Sequence, residues 1–181
     1  PTWLDVFPIP SPDEVTGRSL RPSLTADQQI RGSVVFGYFG AAINVGDGRY
    51  SYFHYPKVDA AKHLFEYTLM PTRMTARFAI RELADATLHP SFSFTKGVPV
   101  LRLNPKTDEH GTPVEVQGLS FADQQSCLYD LSLDPAQSKP LDDPEIKARM
   151  QAYIIDNMIA LDAPSETYQR FGFPLPKSNS G

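Results

Sequence analysis

The sequence lacks several features that would identify a membrane, extracellular or nucleic-acid-binding protein. It has one cysteine in 181 residues, so no disulfide can form within the chain. No apolar run approaches the roughly 18 residues of a membrane-spanning helix. Basic side chains number 17 and acidic ones 21, a net charge of −4. We therefore expect a soluble chain that binds neither nucleic acid nor a membrane surface.

Proline is abundant, at 17 of 181 residues, and predicts many turns and ordered loops. The chain begins with P-T-W-L-D-V-F, without methionine or an apolar leader, and we expect it to be part of a longer protein. The predicted division is a linker with a residual helix at 1–32, a folded subdomain at 33–176 and a tail at 177–181. Trp3 and Phe7 are costly to leave in water, so we expect the sheet or a second copy of the chain to cover them.

Aromatic and β-branched residues predict a small antiparallel sheet. Gly46-Asp47-Gly48 is a strong turn signal between two such segments, 34–45 and 49–55, and predicts a hairpin. Further strands are predicted at 63–70, 99–103, 114–116 and 127–131.

Two segments have helical spacing. Residues 75–88 bring Phe78, Ile80 and Leu83 near one stripe. The stronger signal is Asp143-Pro144-Glu145, where aspartate is a preferred N-cap and proline a preferred first residue. Apolar positions follow at helical spacing, namely Ile146, Met150, Ile154, Met158 and Leu161. We predict an α+β fold in which about four antiparallel strands are covered by a C-terminal amphipathic helix.

Four segments occur in an order that is typical of one enzyme family. Residues 1–20 include P-T-W-L-D-V, I-P and G-R-S-L, and residues 48–52 read G-R-Y-S-Y. Residues 127–135 carry L-Y-D-L and D-P, and Asp143 then begins a helix. Together they resemble the C-terminal portion of the sulfatase family, in the alkaline-phosphatase superfamily. There a P-T-L-L-D-L-A-G-I-P helix and a G-R-S-L segment precede a G-R-Y-K-Y strand and an L-Y-D-L-x-x-D-P turn. The chain departs from this pattern at Pro8, where the family usually has glycine, and residues 68–126 are longer than in a minimal member.

The resemblance implies the C-terminal subdomain of a hydrolase of sulfate esters, with phosphate or phosphonate esters as alternatives. Its partner would be the N-terminal catalytic domain of the same polypeptide. The intact enzyme would use a formylglycine, Ser or Thr nucleophile and Ca²⁺ or Mg²⁺. The alternative is a free-standing protein-interaction or binding module. A cytoplasmic and an exported location both stay open.

We predict no catalytic residue, metal or cofactor within the chain itself. Cys127 lacks the proline and arginine of a C-x-P-S-R motif, and a half-buried strand cysteine is the better interpretation. Asp142-Asp143 fits a helix cap better than a metal site, and Asp156-Asn157 fits a solvated helix face. The four histidines have no zinc-binding spacing.

If the subdomain lines a substrate cleft, cationic side chains near strand ends are the candidates for binding the ester anion. The candidate substrate-binding residues are His54 and Lys57 at the end of the hairpin, and His63, Arg73 and Lys96 around the third strand and the loop after it. The same residues also fit ordinary surface cations and cross-strand aromatic pairs.

Overall fold

The computed structural model of the chain describes residues 1–13, 15–37, 39–56, 60–70, 72, 76–107, 110 and 125–176. The chain divides into two units, Pro1–Val34 and Val35–Gly181. The strand predicted at 114–116 and the tail predicted at 177–181 lie outside the described residues. No helix in the described part of the chain has the length and apolar character that crossing a bilayer requires.

The first unit contains two short helices, α1 (Thr2–Val6) and α2 (Arg21–Ala26). Proline near the start of α2 suits the first turn, where a backbone N–H has no helical partner. None of the described residues of this unit is buried. Trp3 and Phe7 stack on each other but stay 75% and 64% exposed. Their cover by the sheet or by a second copy of the chain stays a prediction.

The second unit has an α+β fold with two antiparallel sheets. Its strands are β1 (Val34–Gly37), β2 (Ile43–Gly46), β3 (Tyr50–His54), β4 (Glu66–Thr68), β5 (Thr87–His89), β6 (Val100–Leu103) and β7 (Cys127–Asp130). Its helices are α3 (Ile80–Ala84), α4 (Pro144–Ala160) and α5 (Ser165–Phe171). A four-stranded sheet has the order β1-β2-β3-β7, and a three-stranded sheet has the order β4-β6-β5.

The predicted hairpin is confirmed as β2 and β3. Gly46 pairs with Ser51, and the backbone N–H of Asp47 donates to the carbonyl of Tyr50. Gly48 has φ +96°, which only glycine adopts easily. The Asp47 carboxylate accepts hydrogen bonds from the N–H groups of Arg49 and Tyr50. The turn is therefore held by its own side chain as well as by the strand ladder.

The C-terminal helix is confirmed as α4, and it covers one face of the four-stranded sheet. Met150, Ile154 and Met158 are buried along one stripe of α4. They form the core together with Val45, Tyr52, Leu128 and Tyr168. Residues at helical spacing lie on one side of α4, and alternate residues of a strand lie on one face of the sheet. These two apolar surfaces therefore pack against each other.

The start of α4 depends on the predicted cap. The Asp143 carboxylate accepts hydrogen bonds of 3.0 Å from the N–H groups of Glu145 and Ile146. We expect Asp143→Ala to lower the free energy of unfolding by about 0.5–2 kcal/mol, because these two donors lose their acceptor. Urea denaturation would measure the change. Asp142→Ala is the control. The Asp142 side chain is highly exposed, and the contact described for it is with the Lys147 ammonium and not with the helix backbone. An equal loss in both variants would contradict the capping role of Asp143.

The region between β3 and β7 differs from the sequence prediction. The helix predicted at 75–88 is reduced to α3, and the last of these residues enter β5, which pairs with β6. Phe78 is buried, but Ile80 is 88% exposed, so the predicted apolar stripe does not face a core. The strand predicted at 63–70 is reduced to β4. Its first predicted residue, His63, instead ends the 3-10 helix Ala60–His63.

Candidate functional site

A network of hydrogen bonds joins the turn of the hairpin to β7. The Arg49 guanidinium donates to one carboxylate oxygen of Asp130 from Nε at 3.1 Å and from Nη2 at 2.7 Å. The N–H of Leu131 donates to the carbonyl of Arg49 at 2.8 Å. The second carboxylate oxygen of Asp130 accepts from the N–H and hydroxyl of Ser132. G-R-Y-S-Y and L-Y-D-L therefore meet through their arginine and their aspartate.

The same network extends to α4. Two guanidinium groups lie over the Tyr50 ring, with Arg49 Cζ 4.9 Å and Arg149 Cζ 5.3 Å from its centroid. Arg149 also donates to the Asp47 carboxylate at 3.2 Å. Cation–π contacts of this kind add to the packing of an aromatic ring. Three of the four segments that carry the family resemblance are thus in direct contact.

The fourth segment, within the first unit, has a network of its own. The Ser19 hydroxyl donates to the Asp5 carboxylate at 2.6 Å, and Arg21 Nη1 lies 3.5 Å from the other carboxylate oxygen. The N–H of Leu20 donates to the Thr2 hydroxyl at 3.0 Å. The P-T-W-L-D-V helix is therefore tied to G-R-S-L by the side chains that both motifs specify.

The charges of the Arg49–Asp130 pair are stable at neutral pH. The hydrogen bond from Arg49, and next that from Ser132, lower the pKa of Asp130 to about 2. The hydrogen bond to Asp130 in turn raises the pKa of Arg49. A carboxyl group that stays ionised so far below neutrality is unsuited to general acid–base catalysis near pH 7. The network therefore joins the hairpin to β7 and is not a proton-transfer site.

His54 lies at the end of β3, on the face that α4 covers. Its Nε2 is 2.8 Å from the carbonyl oxygen of Phe171, which can only accept, so Nε2 carries the proton. Its Nδ1 is 3.1 Å from the Tyr52 hydroxyl, and that hydroxyl accepts a hydrogen bond from the Gln151 amide. The imidazole stacks on Phe173 with 4.5 Å between ring centroids. Both ring nitrogens of His54 are thus used to join β3 to α4 and to the end of α5.

The other predicted substrate-binding residues lie apart along the chain. His63 ends the 3-10 helix Ala60–His63, is half-buried and lines a cavity to which Phe171 also contributes. Lys96 is exposed and follows the 3-10 helix Ser93–Thr95, with φ +54°. Lys57 and Arg73 lie outside the described residues. Phe171 therefore connects two of the predicted residues, His54 through its carbonyl and His63 through the shared cavity.

The cavity beside His63 has a volume of about 420 Å³ and is mainly apolar. Its walls come from the chain around the β1–β2 connection, the segment before β4, and α5. Its apolar lining is Val35, Phe36, Phe39, Ala41, Ala42, Ile43, Leu64, Phe65 and Phe171. The polar side chains that line it are His63, Tyr67, Glu166, Thr167 and Arg170. This volume falls within the range of about 300–1,000 Å³ that is usual for small-molecule sites.

Tyr67 and Glu166, which line this cavity, form a polar cluster with Arg102. The Tyr67 hydroxyl donates to a Glu166 carboxylate oxygen, and Arg102 Nε lies 3.4 Å from that oxygen. The Arg102 guanidinium stacks 3.6 Å from the centroid of Phe65. The alignment of Arg102 Nε is too poor for a hydrogen bond, so its contact with Glu166 is an ion pair alone. No sequence pattern indicated this cluster, because Tyr67 and Glu166 are 99 residues apart.

The electrostatics of the cluster keep the proton on tyrosine and the charge on glutamate. Burial, followed by the hydrogen bond to Glu166, raises the pKa of Tyr67. Burial alone would raise the pKa of Glu166, but the hydrogen bond from Tyr67 and the charge of Arg102 outweigh it, so that this pKa is lowered. Glu166 is therefore a carboxylate at neutral pH, and its charge is balanced within the cavity wall.

The residues considered as metal ligands have other roles in the structure. Within the described ranges, no three His, Cys, Asp or Glu side chains are grouped so that they could hold a metal ion. Asp142 accepts a hydrogen bond from the Lys147 ammonium, and Asp143 caps the start of α4. Asn157 donates to the Tyr153 carbonyl within its own helix. Cys127 is half-buried on β7 and donates to the Gln125 carbonyl.

No family model matches the chain, and no curated protein matches it significantly. The functional assignment therefore depends on the residues described above.

Proposed function

We propose that the chain is the C-terminal subdomain of a sulfatase-type hydrolase, which cleaves sulfate esters as an intact enzyme. The observation that carries the proposal is the Arg49–Asp130 network. The arginine of G-R-Y-S-Y, the aspartate of L-Y-D-L and Arg149 of the closing helix belong to one set of contacts. Motifs that are joined in this way are constrained together, which supports the interpretation of these three segments as one inherited unit and not as three chance similarities.

In this proposal the chain has no catalytic step of its own. The described residues do not offer the ligand set of a Ca²⁺ or Mg²⁺ site. The catalytic domain would supply the metal and the formylglycine, Ser or Thr nucleophile. The subdomain would contribute a folded wall beside the substrate, with Lys96 as a candidate contact to the ester anion and Lys57 and Arg73 as candidates outside the described residues, while His63 lines the mainly apolar cavity. His54 would act by holding β3 and α5 together.

The second candidate is a free-standing protein-interaction module. The observation that favours it is the exposure of Trp3, Phe7 and Leu24 in the first unit, at 75%, 64% and 77%. Large apolar side chains that stay in water are typical of surfaces that bind another protein. A catalytic domain of the same polypeptide would cover them equally well.

We expect purified 1–181 to hydrolyse no aryl sulfate or phosphate monoester, with or without Ca²⁺ or Mg²⁺, because the nucleophile and metal site are assigned to another domain. A spectrophotometric assay with 4-nitrophenyl sulfate and 4-nitrophenyl phosphate measures this. Metal-dependent turnover by the chain alone would contradict the assignment.

The coding sequence upstream of Pro1 distinguishes the two candidates. A C-x-P-S-R or S-x-P-S-R motif in the same reading frame, together with sulfate-ester hydrolysis by the whole product, would support the sulfatase proposal. A start codon immediately before Pro1 would overturn it and favour the interaction module.

A further inference from the structure

We propose that the cavity between the β1–β2 connection, the segment before β4 and α5 binds a small, uncharged aromatic molecule. This inference is independent of the proposed function, because it uses neither the family motifs nor a catalytic domain. It depends on the size of the cavity, the rings that line it, and the state of its charged groups.

The lining favours an aromatic ligand. Four phenylalanine residues contribute to it, namely Phe36, Phe39, Phe65 and Phe171. Aromatic pairs gain from offset or edge-to-face contacts in addition to the burial of area. Ala41 and Ala42 add small side chains to the same lining, which leaves width for a flat ring system. The volume of about 420 Å³ is suited to a molecule of two fused rings or a similar size.

The charged groups of the lining are already engaged by the chain itself. The Glu166 carboxylate accepts from Tyr67 and lies beside Arg102. The Arg170 guanidinium is buried, donates to the Gly40 carbonyl at 2.8 Å and has further interactions within the chain. An ionic ligand would have to compete for these groups, and moving a charge from water into an apolar site is unfavourable without a dedicated partner. An uncharged ligand avoids that penalty.

A single polar atom on the ligand fits the remaining groups. His63 and Thr167 line the cavity with side chains that hydrogen-bond with neutral hydroxyl groups. A phenol or an aromatic alcohol therefore matches both the apolar walls and the polar side chains. The chemical class that the cavity predicts is a neutral hydroxylated aromatic compound.

Isothermal titration calorimetry at neutral pH with 2-naphthol and naphthalene-2-sulfonate tests the proposal, because the two probes share one ring system and differ in charge. We expect saturable binding of 2-naphthol and at least about tenfold weaker binding of the sulfonate, as the anion loses its hydration without a free partner. Absence of saturable 2-naphthol binding would overturn the proposal. So would binding of the sulfonate that is as tight or tighter.

Variants on α5 locate the binding. Thr167→Phe places a ring in the cavity from a half-buried position and is expected to weaken 2-naphthol binding by about tenfold or more, because two rings then compete for one volume. Gln169→Phe adds the same ring to the exposed side of the same helix and should leave binding unchanged. A folded Thr167→Phe protein that binds 2-naphthol like the unmodified chain would contradict the assignment.

Methyl NMR of the unmodified chain gives the same test if Thr167→Phe fails to fold. The methyl signals of Ala41, Ala42 and Thr167 should shift as 2-naphthol is added, while that of the exposed Ala152 on α4 should not. Shifts confined to residues outside the cavity would show that the ligand binds elsewhere.

Discussion

Replacing Ile154 by alanine is expected to lower the free energy of unfolding of the second unit by about 2–5 kcal/mol. Ile154 is fully buried on α4, in the core that includes Val45, Tyr52 and Leu128. The substitution removes the transfer free energy of its side chain and leaves a cavity that the sheet cannot close completely. Urea denaturation followed by circular dichroism would measure the change.

Ile159→Ala is the matched control for this experiment. Ile159 belongs to the same helix but is 50% exposed, so its truncation should change the free energy of unfolding by no more than about 0.5 kcal/mol. If both variants unfolded at the same urea concentration as the parent, α4 would not be packed on the sheet as described.

The second large effect is expected at Asp130, where Asp130→Asn should destabilise the unit at neutral pH and reduce its sensitivity to acid. The pKa of Asp130 is lowered from 3.8 to about 2 in the folded chain. A lowered pKa means that the unfolded chain binds the proton more tightly than the folded one. The contribution to stability is therefore complete above about pH 4 and is lost as the pH falls through about 2.

The acid dependence can be measured from urea midpoints between about pH 2 and pH 7. The parent should lose stability steeply over the acid part of this range, and Asp130→Asn should lose less, because asparagine has no proton to take up. Asp156→Asn, on the exposed side of α4, is the control and should follow the parent. Equal slopes and midpoints for the parent and Asp130→Asn would show that the Arg49–Asp130 pair does not contribute.

The elements that the sequence predicted well are those with local signals. The hairpin follows from Gly46-Asp47-Gly48, where the side chain of Asp47 and the positive φ of Gly48 fix the turn within a few residues. The helix α4 follows from its cap and its spacing, and both depend on neighbours in the chain. Local geometry of this kind is nearly independent of the rest of the fold, and sequence patterns report it directly.

Strands β4 and β6 lie within the strands predicted at 63–70 and 99–103, but β5, the pairing of the three strands and α5 could not be predicted in the same way. The strands β4 and β5 have three residues each and are extended because both pair with β6. The helix α5 begins after Pro164, which had indicated only the end of the preceding helix. Its Tyr168 side chain completes a core whose other members are distant in sequence. Such elements are selected by tertiary contacts, which outweigh weak local preferences.

The candidate site was predicted only in part for the same reason. Strand alternation puts Tyr50, Tyr52 and His54 on one face of β3, but alternation alone does not reveal that α4 covers this face. His63 was selected as a cation near a strand end, whereas its cavity is formed with Glu166 and Arg170 from the other end of the unit. A cavity between distant segments has no counterpart in the order of residues.

The pairing of β3 with β7 makes the three-stranded sheet an insertion between two neighbouring strands. Phe53 is paired with Cys127, and the N–H of Tyr55 donates to the Ser126 hydroxyl at 3.1 Å. The chain leaves the four-stranded sheet and returns almost to the same point. The free-energy cost of closing a flexible loop grows slowly with its length, by only about 0.6 kcal/mol for each doubling. A change in the length of this excursion therefore costs little in loop closure while the pairing of β3 with β7 and the packing of α4 stay in place.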